Sequence, residues 1–157
     1  MSRSYGRAPS HERVVDNAPK GKKERASLIA AVTSQGFEPE HCLIHSGSVN
    51  KSAFLTYLAE VLLPDLAAGS VLVMDNWTVH HGEDVTRLVE AHGCTILYLP
   101  SYSPDFNPIE LLFSKIKAFV KKLRPLNLPD LLEAFSDAVL TLTPQDAAAT
   151  FEHCGYL

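Results

Sequence analysis

The segment from residue 69 to residue 100 constrains the fold more than any other part of this sequence. A short apolar run, GSVLVMDN (69–76), is followed by GEDVTRLVEAHG (82–93) and then by CTILYLP (94–100). The middle stretch has acidic residues in its first turn and a glycine at its end, which predicts a helix between two strands. A strand, helix and strand in this order require a right-handed crossover and a parallel strand pair. The unbroken apolar run also predicts that its strand is covered on both faces.

The flanking segments add an antiparallel strand pair and further helices. Strands are predicted at 25–33 and 40–46, and helices at 50–64, 107–123, 129–141 and 144–153. Asn50 is a favourable N-cap for the first of these helices, and Pro64 is expected to end it. Together the elements predict an α/β fold with a mixed sheet flanked by helices. The length suits one domain over residues 1–157, with an irregular polar lead-in at 1–24.

Composition excludes several classes of function. The formal charge of −4 and the pI near 5.9 argue against a free-standing nucleic-acid binder, so any basic contact surface must be local. The sequence has no uncharged apolar run of about 18 residues and no apolar leader at its start, which predicts a cytoplasmic protein with no membrane partner. The three cysteines lie far apart and do not form the close pairs of a zinc or redox site.

Two carboxylates stand at the places where a sheet of this type collects its chemistry. Asp75 ends the first parallel strand, and Glu110 begins the helix after the second. Each has a structural explanation as well: Asp75 as a turn residue, and Glu110 as the N3 partner of a capping box with Asn107 at the N-cap and Pro108 at N1. Their combination favours phosphodiester chemistry, because Mg²⁺ is usually held by one or two carboxylates together with a substrate phosphate.

The helix that starts at Asn107 also carries positive charge. Its apolar stripe consists of Ile109, Leu112, Phe113, Ile116, Val120 and Leu123. Along the adjoining edge, Glu110 is followed at helical spacing by Ser114, Lys117 and Lys121. We therefore expect Lys117 and Lys121 to hold the DNA backbone.

The two longest motifs resemble a known family. VMDNWTVHHG and LYLPSYSPDFNPIELLFSKIK are similar to motifs of the DDE transposases of bacterial insertion sequences in the IS630 group, relatives of the eukaryotic Tc1/mariner elements. The family pattern is an Asp-Asn pair with a histidine four residues after the Asn, then Leu-Pro-x-Tyr-Ser-Pro-x-x-Asn-Pro-Ile-Glu. The 34 residues between Asp75 and Glu110 match the spacing of this group. The resemblance extends to YGRAP near the start and HCGYL at the end.

This resemblance implies a fold, a cofactor and a site. It implies a ribonuclease H-like domain in which Asp75 and Glu110 are catalytic residues that bind Mg²⁺ (or Mn²⁺), with Asn76, His80 and Asn107 shaping the site. It implies cleavage and strand transfer in DNA transposition, with transposon ends and target DNA as partners. The expected location is the bacterial cytoplasm, in association with the nucleoid.

One departure from the family pattern affects the expected activity. The family uses three carboxylates, and the first, on the opening strand, should lie shortly before YGRAP. Because this sequence begins only a few residues before Tyr5, that strand and its aspartate are expected to be absent, and the chain alone is expected to be inactive or weakly active. Asp16 lies beyond YGRAP and is a poor substitute.

Two alternatives therefore stay open. The chain is either the catalytic domain of such a transposase or a non-enzymatic remnant that pairs with, or regulates, a full-length transposase. In either case it could form a homo-oligomer or depend on a complementary transposase chain. An unrelated ribonuclease H-like nuclease would not account for the Ser-Pro and Asn-Pro-Ile-Glu loop. Terminal repeats, target preference and host are not indicated by the sequence.

Overall fold

The computed structural model describes residues 25–101 and 103–156, and the antiparallel pair comes first in it. Strand β1 (Ala26–Ala30) pairs with β2 (Cys42–Ser46), with Leu28 opposite Ile44. The predicted strand pair is thus confirmed. The predicted lead-in at 1–24, which includes YGRAP and Asp16, lies outside the described residues.

The predicted parallel unit is also confirmed. Strand β3 (Val71–Met74) and strand β4 (Thr95–Tyr98) are parallel, and helix α2 (Glu83–Ala91) connects them. Gly93 has a φ of 71° just after α2, where a left-handed residue lets the chain turn back into β4. The crossover places the carboxyl ends of β3 and β4 side by side, with Met74 opposite Tyr98.

The sheet differs from the single mixed sheet that we predicted. Within the described residues, the four strands form two separate two-stranded sheets, β1 with β2 and β3 with β4. The prediction that β3 is covered on both faces is wrong. Leu72 is buried, but Val71, Val73 and Leu97 are 57%, 42% and 55% exposed on the opposite face. An unbroken apolar run shows that a strand can be buried, but it does not show that both faces of its sheet are covered. Covering the second face depends on segments elsewhere in the chain.

Five α-helices surround these strands in the described chain. They are α1 (Lys51–Tyr57), α2, α3 (Pro108–Leu123), α4 (Leu128–Leu140) and α5 (Pro144–His153). Asn50 caps α1 as predicted, since its side chain accepts a hydrogen bond from the backbone N–H of Ala53 at 2.9 Å. The helical path continues past α1 through a π turn and a 3₁₀ turn, so that Pro64 lies inside the last turn instead of ending the helix before it.

Two apolar clusters hold these elements together. The first joins α1 and the helical turns that follow it to the buried face of β3 and to α2. It includes Phe54, Tyr57, Leu58, Leu62, Leu63, Leu72, Val85, Val89 and Cys94. The second packs α3 against α4 and includes Phe37, Leu112, Ile116, Val120, Ala134, Ala138 and Val139. Leu123, which we placed on the apolar stripe of α3, is 51% exposed because the helix ends there.

The three cysteines differ in exposure: Cys94 is buried, and Cys42 and Cys154 are partly buried. Cys42, Cys94 and Cys154 are free thiols. Burial, helped by the nearby charge of Glu40, raises the pKa of the Cys42 thiol to about 12. Within residues 25–101 and 103–156, no helix has both the length and the apolar character needed to cross a lipid bilayer.

Candidate functional site

A cleft of about 370 Å³ opens where β3 and β4 end and α3 begins. It is lined by Asp75, Asn76, Trp77, Leu99, Pro100, Ser101, Ser103, Asn107 and Glu110. Four of the site residues predicted from the sequence, Asp75, Asn76, Asn107 and Glu110, therefore lie on the wall of one cavity. The two carboxylates line the same cavity although 34 residues separate them along the chain.

Asp75 occupies the position directly after β3, and its carboxylate is held from one side. Its Oδ1 accepts a hydrogen bond from the backbone N–H of Trp77 at 3.0 Å and lies 2.7 Å from Nδ1 of His80. An ionised carboxylate only accepts hydrogen bonds, so the imidazole presents an N–H to it. Both contacts use Oδ1, which leaves Oδ2 as the oxygen available to a metal ion or a substrate.

His80 lies in a short 3₁₀ turn (Thr78–His80) that is fixed by distant residues. Its ring packs against the ring of Phe54 at a centroid distance of 4.6 Å, and its side chain is 18% exposed. The hydroxyl of Tyr98 donates a hydrogen bond to the carbonyl oxygen of His80 at 2.8 Å. The imidazole is therefore placed by packing from α1 and by a hydrogen bond from β4.

The next peptide is held by Lys51, a residue that we did not predict as part of the site. Its ammonium group donates a hydrogen bond to the carbonyl oxygen of His81 and forms an ion pair with Asp84 at 3.2 Å. The hydrogen bond that Lys51 donates to the carboxylate of Asp84 lowers the pKa of Asp84. Gly82, between His81 and Asp84, has a φ of 131°, a backbone conformation that residues with a Cβ rarely adopt, so this position favours glycine.

The adjacent histidines contact different partners. The ring of His81 stacks on Tyr98 at a centroid distance of 4.2 Å, and His81 is partly buried. Neither Lys51 nor Tyr98 was found from the sequence. Their roles depend on contacts with residues 18 to 33 positions away, and no local pattern marks them.

Asn76 ties the ends of the two parallel strands together. Its side-chain amide donates to the carbonyl oxygen of Leu99 at 2.7 Å and to the hydroxyl of Ser101 at 3.3 Å. These bonds connect the residue after Asp75 to the loop that leads to α3. The site-shaping role of Asn76 stays a prediction, and these hydrogen bonds are the contacts through which it would act.

Asn107 and Glu110 lie at the start of α3, but they do not form the capping box that we considered. Asn107 is at the N-cap position and its side chain makes no capping hydrogen bond. In α5 the corresponding pair, Thr143 and Asp146, forms both bonds of a capping box. The structural explanation for Glu110 therefore lacks its hydrogen bonds, and both side chains line the cleft instead.

The two predicted DNA-binding lysines lie outside the cleft. Lys117 and Lys121 are exposed on α3, along the edge that starts at Glu110, and the ammonium of Lys117 lies 6.0 Å from the centre of the Phe113 ring. Among the described residues, no lysine or arginine side chain lines the cleft. Any contact that these lysines make with DNA would be beyond the carboxylates.

The donor set fits a hard divalent cation that is completed by water and substrate. In the described part of the chain, no group of three or more acidic, histidine or cysteine side chains is placed to hold a metal ion. Two carboxylates, one of them oriented by a histidine, nevertheless suit Mg²⁺ or Mn²⁺, which keep several waters and use few protein ligands. Metal binding at Asp75 and Glu110 stays a prediction.

Comparison with known proteins gives a family for this chain. A family model described as DDE superfamily endonuclease matches residues 1–131, which include the whole cleft. Among curated proteins, no significant match to the chain is found.

Proposed function

This chain belongs to the DDE endonuclease superfamily, and from that premise we propose that it is the catalytic domain of an insertion-sequence transposase of the IS630 and Tc1/mariner type. Membership suggests nuclease or transposase activity on DNA. We propose hydrolysis at transposon ends, followed by attack of the freed 3′-hydroxyl on target DNA. The work would take place at the nucleoid in the bacterial cytoplasm.

The observation that carries this proposal is the common cleft of Asp75 and Glu110. We propose that these two carboxylates hold Mg²⁺ or Mn²⁺ together with water and a DNA phosphate. The chemistry supplied by a bound ion is activation of the attacking oxygen and stabilisation of the leaving oxygen.

The other residues of the site position this pair. His80 holds Oδ1 of Asp75 and leaves Oδ2 outside this contact, while Asn76 keeps the end of β3 joined to the loop before α3. Orientation of a ligand by its hydrogen-bond partner contributes to metal affinity. Lys117 and Lys121 lie about 10 Å and 16 Å along the helix from Glu110, given the rise of an α-helix, and would contact the DNA backbone that extends beyond the cleft.

The experiment that tests this function measures metal binding and DNA nicking by the full chain. We expect Mn²⁺ to bind in an electron paramagnetic resonance titration, and Asp75→Asn or Glu110→Gln to weaken that binding at least roughly tenfold, because each removes a charged ligand. Asp105→Asn, an exposed aspartate that does not line the cleft, is the matched control.

Nicking of supercoiled DNA that carries a transposon end should likewise be weaker in Asp75→Asn and Glu110→Gln than in the wild type and in Asp105→Asn. We expect slow, Mn²⁺-dependent nicking, since the resemblance implies three carboxylates and the described cleft has two. Equal metal binding and equal nicking in the wild type and in Asp75→Asn would remove Asp75 from the mechanism.

A second proposal is that the chain acts without catalysis, by pairing with a transposase. It is favoured by the bare apolar face of the β3 and β4 sheet, where Val71, Val73 and Leu97 are exposed. Adding the chain to an active transposase of the same type should then change the nicking rate, and a Val73→Lys variant should not. No effect of the wild-type chain on that rate would contradict this proposal.

A further inference from the structure

Trp77, the only tryptophan of the chain, lies on the wall of the cleft beside the carboxylates. Its side chain is 47% exposed. Single exposed apolar residues are ordinary on protein surfaces, so exposure alone indicates nothing. The position is informative because Trp77 follows Asp75 by two residues and lines the same cavity as both carboxylates.

The backbone of Trp77 is held by Asp75 and His80, and its ring contacts His80. The backbone N–H of Trp77 donates a hydrogen bond to Oδ1 of Asp75 at 3.0 Å, and the backbone carbonyl oxygen of Trp77 accepts one from the backbone N–H of His80 at 2.9 Å. The imidazole of His80 meets the indole at 84° with a centroid distance of 5.5 Å. An aromatic ring that is held by one neighbouring ring and stays exposed over about half its surface can serve as a stacking platform.

Apart from Asp75 and Glu110, the residues that line the cleft together with Trp77 are uncharged. Asn107, Ser101 and Ser103 line it, and the described lining includes no cation that would hold a phosphate there. The amide of Asn107 is not used for capping, so it offers both a donor and an acceptor to a ligand. Such an amide is a common partner for the edge of a base, whereas a phosphate is held by cations or backbone N–H groups.

We propose that this side of the cleft is a nucleobase subsite, in which an unpaired base of the DNA strand stacks on Trp77 while Asn107 contacts the edge of that base. The inference rests on the proposed function, since it places the base next to the phosphate that Asp75 and Glu110 would hold. It adds a contact to the bases, which phosphate binding at the carboxylates does not provide.

The single tryptophan makes the test direct. The full chain is titrated with a single-stranded oligonucleotide and with a blunt duplex of the same sequence, in Ca²⁺ to avoid cleavage. Binding is followed by the anisotropy of a label on the DNA, and stacking by the emission of Trp77. We expect the single strand to quench the emission in step with its anisotropy, and the blunt duplex to quench it much less.

Variants separate stacking from general binding. Trp77→Ala should weaken single-strand binding roughly 5- to 150-fold, the range for loss of one stacked base, and Trp77→Phe should restore most of it. Phe106→Ala removes another aromatic ring, 51% exposed but outside the cleft lining, and should leave binding unchanged. Asn107→Ala should keep the quenching while reducing the difference in affinity between homopolymers of different bases.

The outcomes distinguish this inference from the function on which it rests. DNA binding by anisotropy with unchanged tryptophan emission, or equal affinities for the wild type and Trp77→Ala, would overturn the subsite and leave the metal-dependent nuclease intact. Absence of any DNA binding would overturn both. Loss of metal binding in Asp75→Asn bears on the nuclease alone.

Discussion

Two asparagines at the starts of neighbouring helices should differ in their contributions to stability. Asn127 precedes α4, and its side chain accepts a hydrogen bond from the backbone N–H of Asp130 at 2.8 Å. Asn107 occupies the same position before α3 and makes no such bond. We therefore compare Asn127→Ala with Asn107→Ala.

The expected difference is set by the capping hydrogen bond. Replacing a capping asparagine by alanine lowers the free energy of unfolding by about 1 kcal/mol. Asn107→Ala breaks no capping bond and should change it by less than about 0.5 kcal/mol. With a urea dependence of about 1–3 kcal/mol/M, the first change moves the unfolding midpoint by roughly 0.3–1 M, and the second moves it by less than about half as much.

Urea unfolding followed by circular dichroism measures both midpoints under one set of conditions. If Asn107→Ala lowers the midpoint as much as Asn127→Ala, Asn107 caps α3 in solution. The capping explanation for Glu110 would then return, and the argument that Asn107 is available to a ligand would fail.

Three further results are expected. Leu112→Ala removes a side chain that is 1% exposed and should lower the free energy of unfolding by about 2–5 kcal/mol. Leu111→Ala removes a side chain that is 39% exposed and should change this free energy by less than about 1 kcal/mol. Similar melting temperatures of the two variants in calorimetry would refute this expectation. The hydrogen bond from Lys115 lowers the pKa of the Asp146 carboxyl. The ionised carboxylate therefore stabilises the fold fully above the unfolded pKa near 3.9, and this stabilisation is lost as the pH falls through the lower folded pKa. Asp146→Asn should flatten the acid side of the stability curve, and an unchanged curve would contradict the assignment. Tyr98→Phe removes the hydroxyl that holds the carbonyl of His80 and should weaken Mn²⁺ binding roughly tenfold, which unaltered titrations would disprove.

Local features of the fold were accessible from the sequence. The antiparallel pair, the parallel pair with its crossover helix and the starts of α1 and α5 follow from periodicity, from Asn50 and Thr143 as caps, and from Gly93 after a helix. These features depend on backbone preferences within a few residues, which the sequence states directly. The break between the two sheets and the bare face around Val73 depend on which strands find neighbours, and no local pattern reports that.

The sequence by itself determined that Asp75 ends a strand and that Glu110 begins a helix, because strand length, proline and helical spacing act over short distances. Only the tertiary structure decided that both carboxylates line one cleft, that Lys51 and Tyr98 hold the turn of His80, and that Asn107 lines the cleft without capping its helix. In each case a side chain can form contacts with groups close to it in sequence or with groups far from it. The distant groups become available as partners only when the chain has packed.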